Sequence, residues 1–211
     1  MSHSSRILLV TGILCTALSM YQLLVQELAH FYAMFSLGIT MILLVIHAKI
    51  VGRPLFTSSE YRRFLSFFTL LLATSILIDR IGMRLGYWEY PHYDEADTIR
   101  KYVFEWTIAL FYHFLAFVVG IEIFRRAGAD RRLSMVVSLL VVVGLVGFLT
   151  ESLNLKVYSW RVKSMPISDI TIGSYFLIFQ TLGYWLMALI PYGLYEITGL
   201  KERSPTSERL D

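Results

Sequence analysis

The chain has 211 residues, of which 56% are hydrophobic and 17% are charged, and its net charge is +3 at pH 7. Water-soluble domains usually carry about 25% charged residues, so this composition excludes an ordinary soluble domain. The basic residues cluster between hydrophobic runs, a pattern typical of membrane topology, and we expect no nucleic-acid partner. Because Cys15 is the only cysteine, an intrachain disulfide is excluded.

Six hydrophobic runs are each roughly long enough to cross about 30 Å of hydrocarbon as a helix. They cover residues 7–25, 31–46, 64–78, 102–124, 133–149 and 172–197. The connections between them are too short to fold separately. We therefore expect an all-α, polytopic integral membrane protein of about six transmembrane helices, with residues 1–211 forming a single domain. No small-residue cleavage site follows the first run, so we expect it to be retained.

The charged loops predict the orientation of these runs. Basic residues lie between runs two and three and between runs four and five: Lys49, Arg53, Arg62, Arg63, Arg125, Arg126, Arg131 and Arg132. The positive-inside rule makes these loops cytoplasmic, which places both termini there and makes 201–211 a solvated C-terminal tail. The expected location is the cytoplasmic membrane of a bacterium or archaeon, in contact with membrane lipid.

Residues 64–124 and 133–197 show a possible internal repeat. An offset of 72 residues superposes Asp79 on Glu151, Trp88 on Trp160, Phe104 on Phe176, Tyr112 on Tyr184 and Leu77 on Leu149. Each unit would be a helical hairpin, and the first two runs would add a third hairpin. The alternative is a bundle without symmetry, in which the two tryptophans belong to an aromatic belt at the membrane interface.

Five ionisable residues stand out in or at the edge of the runs: Asp79, Glu105, Glu122, Glu151 and His113. Ionisable groups are costly in hydrocarbon, which makes them candidates for function. Asp79, Glu105 and Glu151 lie toward the extracytoplasmic side, where one cavity would bring them together as candidate catalytic residues. Glu122 is better explained by an ion pair with Arg125 or Arg126.

Ion pairing is also the structural alternative for the three candidate acids. The available partners are Arg80, Arg84 or Arg100 for Asp79, Lys101 or Arg100 for Glu105, and Lys156 or Arg161 for Glu151. On an α-helix, Tyr102, Glu105 and Tyr112 would line a common stripe.

Metal and nucleotide chemistry have little support in the sequence. No two histidines have ligand spacing on one helix, and we predict no metal site and no cofactor. A haem between His47 and His113 is geometrically conceivable, although a polar packing role is the commoner one for such residues. Gly144 and Gly147 lie in an apolar run, where small residues permit close helix packing.

Aromatic residues follow two of the candidate acids. Asp79 precedes Tyr87, Trp88 and Tyr90, and Glu151 precedes Tyr158 and Trp160. A carboxylic acid in a low-dielectric pocket can stay protonated and give its proton to a weak base such as an alkene. Aromatic faces stabilise the resulting carbocation. This is the chemistry of isoprenoid cyclisation or hydration.

The stretch 78–90, Ile-Asp-Arg-Ile-Gly-Met-Arg-Leu-Gly-Tyr-Trp-Glu-Tyr, resembles the membrane-embedded carotenoid (lycopene) cyclase superfamily, which has an acid followed nine residues later by Trp-x-Tyr. Val103-Phe104-Glu105-Trp106 lies where that family has its Glu-rich element, here without the usual proline and consecutive glutamates. Leu194-Tyr195-Glu196 is similar to the way the family's helices end. The resemblance covers residues 64–196.

This resemblance implies a nonredox cyclisation or water addition at the end of a long isoprenoid or carotenoid-like substrate, with no dissociable cofactor. Asp79, Glu105 and Glu151 would be the acids and bases. The substrate-binding residues would be Trp88, Tyr90, Trp106, Tyr112, Asn154, Trp160 and Gln180. Two alternatives remain open: a noncatalytic accessory subunit of a larger membrane complex that holds pigment or lipid, and a small transporter. Either a homo-oligomer or a hetero-oligomer is compatible with the sequence.

Overall fold

Six helices form the body of the protein. The computed structural model describes residues 3–94, 98–164, 171–172 and 175–199. Within these residues the helices are α1 (His3–Leu24), α2 (Phe31–Val51), α3 (Tyr61–Arg84), α4 (Arg100–Arg126), α5 (Arg131–Val157) and α6 (Leu177–Ile197). A short 3₁₀ turn, Ser58–Glu60, precedes α3. Five of the six hydrophobic runs coincide with helices, whereas the run 172–197 is helical only from Leu177, because Ile172 and Tyr175–Phe176 pair in short strands. The prediction of a mainly helical chain is confirmed.

Apolar side chains cover much of the outer surface of these helices. In the described part of the chain, α1 to α5 are each long and apolar enough to cross a membrane. Large exposed side chains include Ile7, Leu14, Leu65, Leu145 and Leu186. A water-soluble helix exposes a polar face, so this surface indicates a multi-pass membrane protein.

Two helices extend well beyond the hydrophobic runs that predicted them. Helix α3 continues to Arg84, six residues past the predicted end at 78, and α5 continues to Val157 rather than 149. The added residues include the buried polar side chains of Asp79, Glu151 and Asn154, whose burial hydropathy alone does not detect. As a result, Asp79 and Glu151 lie within helices and not at their ends.

Helix α4 is the centre of the bundle. It packs against α2, α3, α5 and α6, whereas α1 packs chiefly on α2. Tyr112, His113, Phe114 and Leu115 on α4 are fully buried. Because α4 has neighbours all around, polar groups on it are held away from the surrounding solvent or lipid.

The first part of α4 is a π-helix, Arg100–Thr107, and α5 contains a second π segment, Ser138–Val143. In the first segment the Thr107 hydroxyl donates to the carbonyl of Tyr102, five residues earlier, at 2.6 Å. A π turn changes which residues share a helix face, and π turns are frequent at functional sites. The π segment therefore alters the common stripe of Tyr102, Glu105 and Tyr112 that was expected of a regular α-helix.

Two loops at one end of the bundle pair with each other. Strand β1 (Trp88–Glu89) follows α3 and strand β2 (Arg161–Val162) follows α5, and they form an antiparallel ladder with Trp88 opposite Val162. Glu89 adds ion pairs with Arg161, at 3.9 Å, and with Lys163. The loops that follow the two acids are thus joined. Strands β3 (Thr171–Ile172) and β4 (Tyr175–Phe176) form a second short ladder before α6.

Helices α1 and α2 meet through two glycines. A Cβ atom on Gly38 would lie 2.4 Å from the Thr16 hydroxyl and 2.8 Å from the Gly12 carbonyl oxygen. A Cβ atom on Gly12 would lie 2.9 Å from the Gly38 carbonyl oxygen. Only glycine permits this approach, which is a known way for helices to pack in membranes.

We predict that Gly38→Ala forces α1 away from α2 and lowers the free energy of unfolding by about 1–3 kcal/mol, the usual cost of overpacking. Thermal unfolding in mild detergent is the measurement. Gly144→Ala is the matched control, because a Cβ atom there meets nothing within 4 Å. Equal unfolding midpoints for the two variants would contradict the prediction.

Candidate functional site

Asp79 lies fully buried on α3 and accepts from four donors. Its Oδ1 accepts from Trp88 Nε1 at 3.0 Å and from the Tyr90 hydroxyl at 2.6 Å. Its Oδ2 accepts from the Tyr102 hydroxyl at 2.8 Å and lies 2.9 Å from Lys101 Nζ. We call these five residues the Asp79 centre.

Lys101 provides the positive charge of the Asp79 centre. Its ammonium lies 3.6 Å from the centroid of the Tyr90 ring, 5.1 Å from that of Tyr102, and 3.3 Å from the sulfur of Met83. The side chain is only 9% exposed. Charge pairing and the faces of two aromatic rings together compensate for its removal from water.

The donors around Asp79 indicate a structural role for its carboxylate. An indole N–H and an ammonium can only donate, so they require an acceptor. Burial, together with the nearby Asp79 carboxylate, raises the pKa of the Tyr90 hydroxyl well above its ordinary value of 10.0, and Tyr90 therefore remains a donor. Asp79 thus joins α3, α4 and the loop between them through charge-assisted hydrogen bonds.

Gly82 makes room for the indole that reaches Asp79. It lies on α3 one turn after Asp79, and a Cβ atom on it would lie 2.0 Å from the Trp88 ring. No larger residue fits there without displacing the indole. The glycine and the acid therefore position Trp88 together.

Glu105 is buried on the π segment of α4 and faces the start of α2. Its Oε2 accepts from the Tyr93 hydroxyl. The Tyr93 ring packs edge-on against His30, with ring centroids 4.9 Å apart, and the Arg100 guanidinium lies 5.3 Å from the Tyr93 ring. Trp106, the next residue, donates to the Tyr90 hydroxyl of the Asp79 centre. Glu105 and Asp79 are therefore linked through the loop 85–94.

Glu151 lies buried on α5 and accepts from three neutral donors. Its Oε2 accepts from the Tyr184 hydroxyl at 2.9 Å and from Trp160 Nε1 at 3.2 Å, and its Oε1 accepts from Asn154 Nδ2 at 3.3 Å. Asn154 Nδ2 also donates to the carbonyl oxygen of Trp160 at 2.9 Å, and Asn154 Oδ1 accepts from the Trp160 backbone N–H at 3.2 Å. These two bonds fix the loop after α5. We call Glu151, Asn154, Trp160 and Tyr184 the Glu151 centre.

A layer of aromatic rings lies beside the Glu151 centre. The Tyr112 hydroxyl is 2.8 Å from the Tyr32 hydroxyl and 2.8 Å from the Thr150 hydroxyl. The Tyr32 ring packs on Trp160 with centroids 4.7 Å apart. His113 lies against Tyr112 and Tyr184, with centroids 4.2 and 5.1 Å away. Helices α2, α4, α5 and α6 thus all contribute to this region.

The two centres share one contact pattern. In each, an indole donates to an acid nine residues earlier in the chain, Trp88 to Asp79 and Trp160 to Glu151. In each, a tyrosine hydroxyl from the following helix reaches the same acid, Tyr102 on α4 and Tyr184 on α6. The indole contacts agree with the equivalence of Asp79 and Glu151. The tyrosine contacts do not follow the offset of 72, which aligns Tyr184 with Tyr112 and not with Tyr102, and the repeat stays a prediction.

The candidate site residues fall into two groups. Trp88, Tyr90 and Trp106 lie with Asp79 and Glu105, whereas Tyr112, Asn154 and Trp160 lie with Glu151. Gln180 is in α6, and its side chain is outside the described residues. Because of the π segment, Tyr102 contacts Asp79 while Tyr112 contacts Thr150, so the expected stripe divides between the two groups.

The ion pairs expected of Asp79 and Glu151 are replaced by other contacts. Asp79 pairs with Lys101 and not with a neighbouring arginine. Arg161 pairs with Glu89, and Lys156 donates to the carbonyl of Leu24. Glu122 does pair with Arg125, at 3.4 Å, as predicted.

Sequence reasoning missed Lys101, Tyr102, Tyr93, Tyr32 and Tyr184 as site residues. The proposed repeat was the available signal for Tyr184, because it aligns with another buried tyrosine. The only sequence signal for Lys101 was its position one turn before Glu105. It lies at the start of a helix, where a lysine is ordinarily solvated. Among the described residues, no three His, Cys, Asp or Glu side chains form a group that could hold a metal ion.

We predict that Lys101→Met destabilises the protein by about 3–5 kcal/mol, because it leaves a buried carboxylate without a counter-charge. The double variant Asp79→Asn/Lys101→Met should recover most of that loss, which a double-mutant cycle of unfolding in detergent would measure. Lys163→Met is the control, since Lys163 is half exposed and such pairs contribute little. Additive losses in the double variant would argue against the pairing.

Gly147 gives a second test. A Cβ atom on Gly147 would lie 2.4 Å from the Tyr184 ring. We expect Gly147→Ala to push Tyr184 away from Glu151 and to lower the unfolding midpoint, whereas Gly144→Ala should not. In a Tyr184→Ala background the same change should cost little. If Gly147→Ala lowers the unfolding midpoint as much in the Tyr184→Ala background as in the wild type, the clash is not with Tyr184.

Comparisons with known proteins leave this geometry as the available guide to function. No protein family, curated protein or solved structure matches the chain.

Proposed function

We propose that the chain is a multi-pass membrane protein that binds a long apolar isoprenoid and acts on it at the Glu151 centre, by acid-initiated cyclisation or hydration. The observation that carries this proposal is a buried carboxyl group that accepts from the neutral donors Tyr184, Trp160 and Asn154, beside a layer of aromatic rings, inside an apolar bundle. The proposed setting is a bacterial or archaeal cytoplasmic membrane with both termini on the cytoplasmic side. The basic loops support that orientation.

The chemistry needs one acid and a region that tolerates positive charge. A protonated Glu151 would give its proton to one carbon of an alkene, whose π electrons form the new C–H bond and leave a cation on the other carbon. The faces of Tyr32, Trp160 and Tyr112 are available to stabilise such a cation. The π electrons of a second alkene would form the C–C bond of a ring, and the new cation would lose a proton to the Glu151 carboxylate. Alternatively, the oxygen of water would bond to the first cation and then lose a proton to the same carboxylate.

The Asp79 centre takes a positioning role in this proposal. Its carboxylate is occupied by Lys101 and three neutral donors, and it has the contacts of a structural anchor. The Asp79 carboxylate binds Trp88, which lies in β1. Strand β1 pairs with β2, which directly follows Trp160 in the chain. Glu105 retains its candidacy as an acid or base, since it is buried on the π segment beside the Asp79 centre.

A second candidate function is a noncatalytic accessory subunit that holds a pigment or lipid. The Asp79 carboxylate is filled by structural partners, as an acid without a catalytic role would be, and this favours the accessory-subunit function. The aromatic layer beside Glu151 would then serve as a binding surface.

Organic extraction of the purified protein, followed by mass spectrometry and an absorption spectrum, tests the proposal. We expect a bound polyene or isoprenoid, and conversion of that ligand by the wild-type protein. Glu151→Gln should fold and still bind the ligand but lose conversion by at least about 100-fold, the scale of general acid catalysis. Glu122→Gln is the control.

Two outcomes would redirect the proposal. Full conversion by Glu151→Gln would remove Glu151 as the acid. Bulk phospholipid alone, together with partner chains in stoichiometric amounts, would favour the accessory-subunit function.

A further inference from the structure

A fully buried imidazole beside the Glu151 centre has an unused acceptor. His113 has no solvent exposure, and its Nδ1 lies 2.8 Å from the carbonyl oxygen of Ala109. Among the described residues, nothing bonds to its Nε2. A carbonyl oxygen can only accept, so Nδ1 carries the hydrogen and Nε2 of the neutral ring carries a lone pair.

The position of His113 connects this lone pair to the proposed site. Its ring lies against Tyr184, whose hydroxyl donates to Glu151, and against Tyr112, whose hydroxyl contacts Thr150 one residue before Glu151. His113 and Glu151 therefore share Tyr184 as a neighbour, and Tyr112 links His113 to the residue before Glu151. A buried acceptor without a donor costs free energy, so its retention calls for an explanation, such as a catalytic role or a bound group that completes it.

We infer that His113 Nε2 accepts a hydrogen bond from a hydroxyl group that enters the Glu151 centre. The inference rests on the proposed function and narrows it to hydration, because only water addition has O–H groups in its substrate water and its alcohol product. The ligand class is an isoprenoid alcohol. The same hydrogen bond would hold the water that adds to the alkene.

The test uses geranylgeraniol and its methyl ether, which share a carbon skeleton but differ in the O–H donor. Protein labelled with ¹⁵N-histidine is placed in nanodiscs, and His113→Gln assigns the His113 signal among the five histidines. We expect geranylgeraniol to move the Nε2 signal upfield, as acceptance of a hydrogen bond does, and the ether to leave it unmoved. Equilibrium binding of the tritiated lipids should show about tenfold weaker binding of the ether.

Matched variants separate binding from folding. His113→Phe keeps an aromatic ring between the two tyrosines and should weaken geranylgeraniol binding about tenfold while leaving ether binding unchanged. His47→Phe is the control, since His47 is also a buried histidine with an unbonded ring nitrogen in the described residues, but on α2. It should change neither affinity.

The contrary outcomes are distinct. If both lipids bind equally and the Nε2 signal does not move, the inference is overturned and the proposed function stands. A signal that is already upfield without lipid and does not move with alcohol would indicate a resident water only, which also overturns it. If neither lipid binds, the proposed function fails and the inference fails with it.

Discussion

A buried charge in an apolar bundle must be compensated, and the ion pair of Asp79 with Lys101 meets that requirement where α3 and α4 come together. Leaving either partner alone would cost several kcal/mol, so the two helices are held in one register. The same carboxylate binds Trp88 and Tyr90, and it thereby orders the loop after α3. That loop pairs with the loop after α5 through β1 and β2. The position of Trp160 next to Glu151 thus depends on contacts that begin at Asp79.

The two acids illustrate how similar contacts permit different roles. Both accept from an indole nine residues later and from a tyrosine of the next helix. Asp79 also contacts the ammonium of Lys101, which balances the charge of the carboxylate and favours a structural role. Three donors to Glu151, from Tyr184, Trp160 and Asn154, are neutral groups, and the proposed function assigns proton transfer to this acid. A glycine also makes room for an aromatic ring beside each acid. Gly82 makes room for Trp88 near Asp79, and Gly147 makes room for Tyr184 near Glu151.

Much of the fold could be predicted from the sequence, because six apolar runs leave few alternatives to a helical bundle. The helix ends at Arg84 and Val157 were not predicted, since Asp79 and Glu151 lower the hydropathy of turns that are nevertheless internal. Within the site, the acids and Trp88, Tyr90 and Trp160 were found from their spacing. Lys101 and Tyr32 were not, because their partners lie on other helices and nothing in their local sequence distinguishes them. The π segment also has no signature in the residue pattern.

That π segment carries a consequence for how the sequence can change. A π turn is equivalent to one residue inserted into an α-helix. Deleting a single residue between 100 and 107 would restore regular winding and rotate the start of α4 by about 100° relative to its remainder. Lys101 would leave Asp79, whereas Tyr112 and His113 would keep their neighbours. A single residue in this segment therefore decides whether the Asp79 centre is kept together with the aromatic layer beside Glu151. Related sequences with or without that residue would reveal which of the two is retained independently.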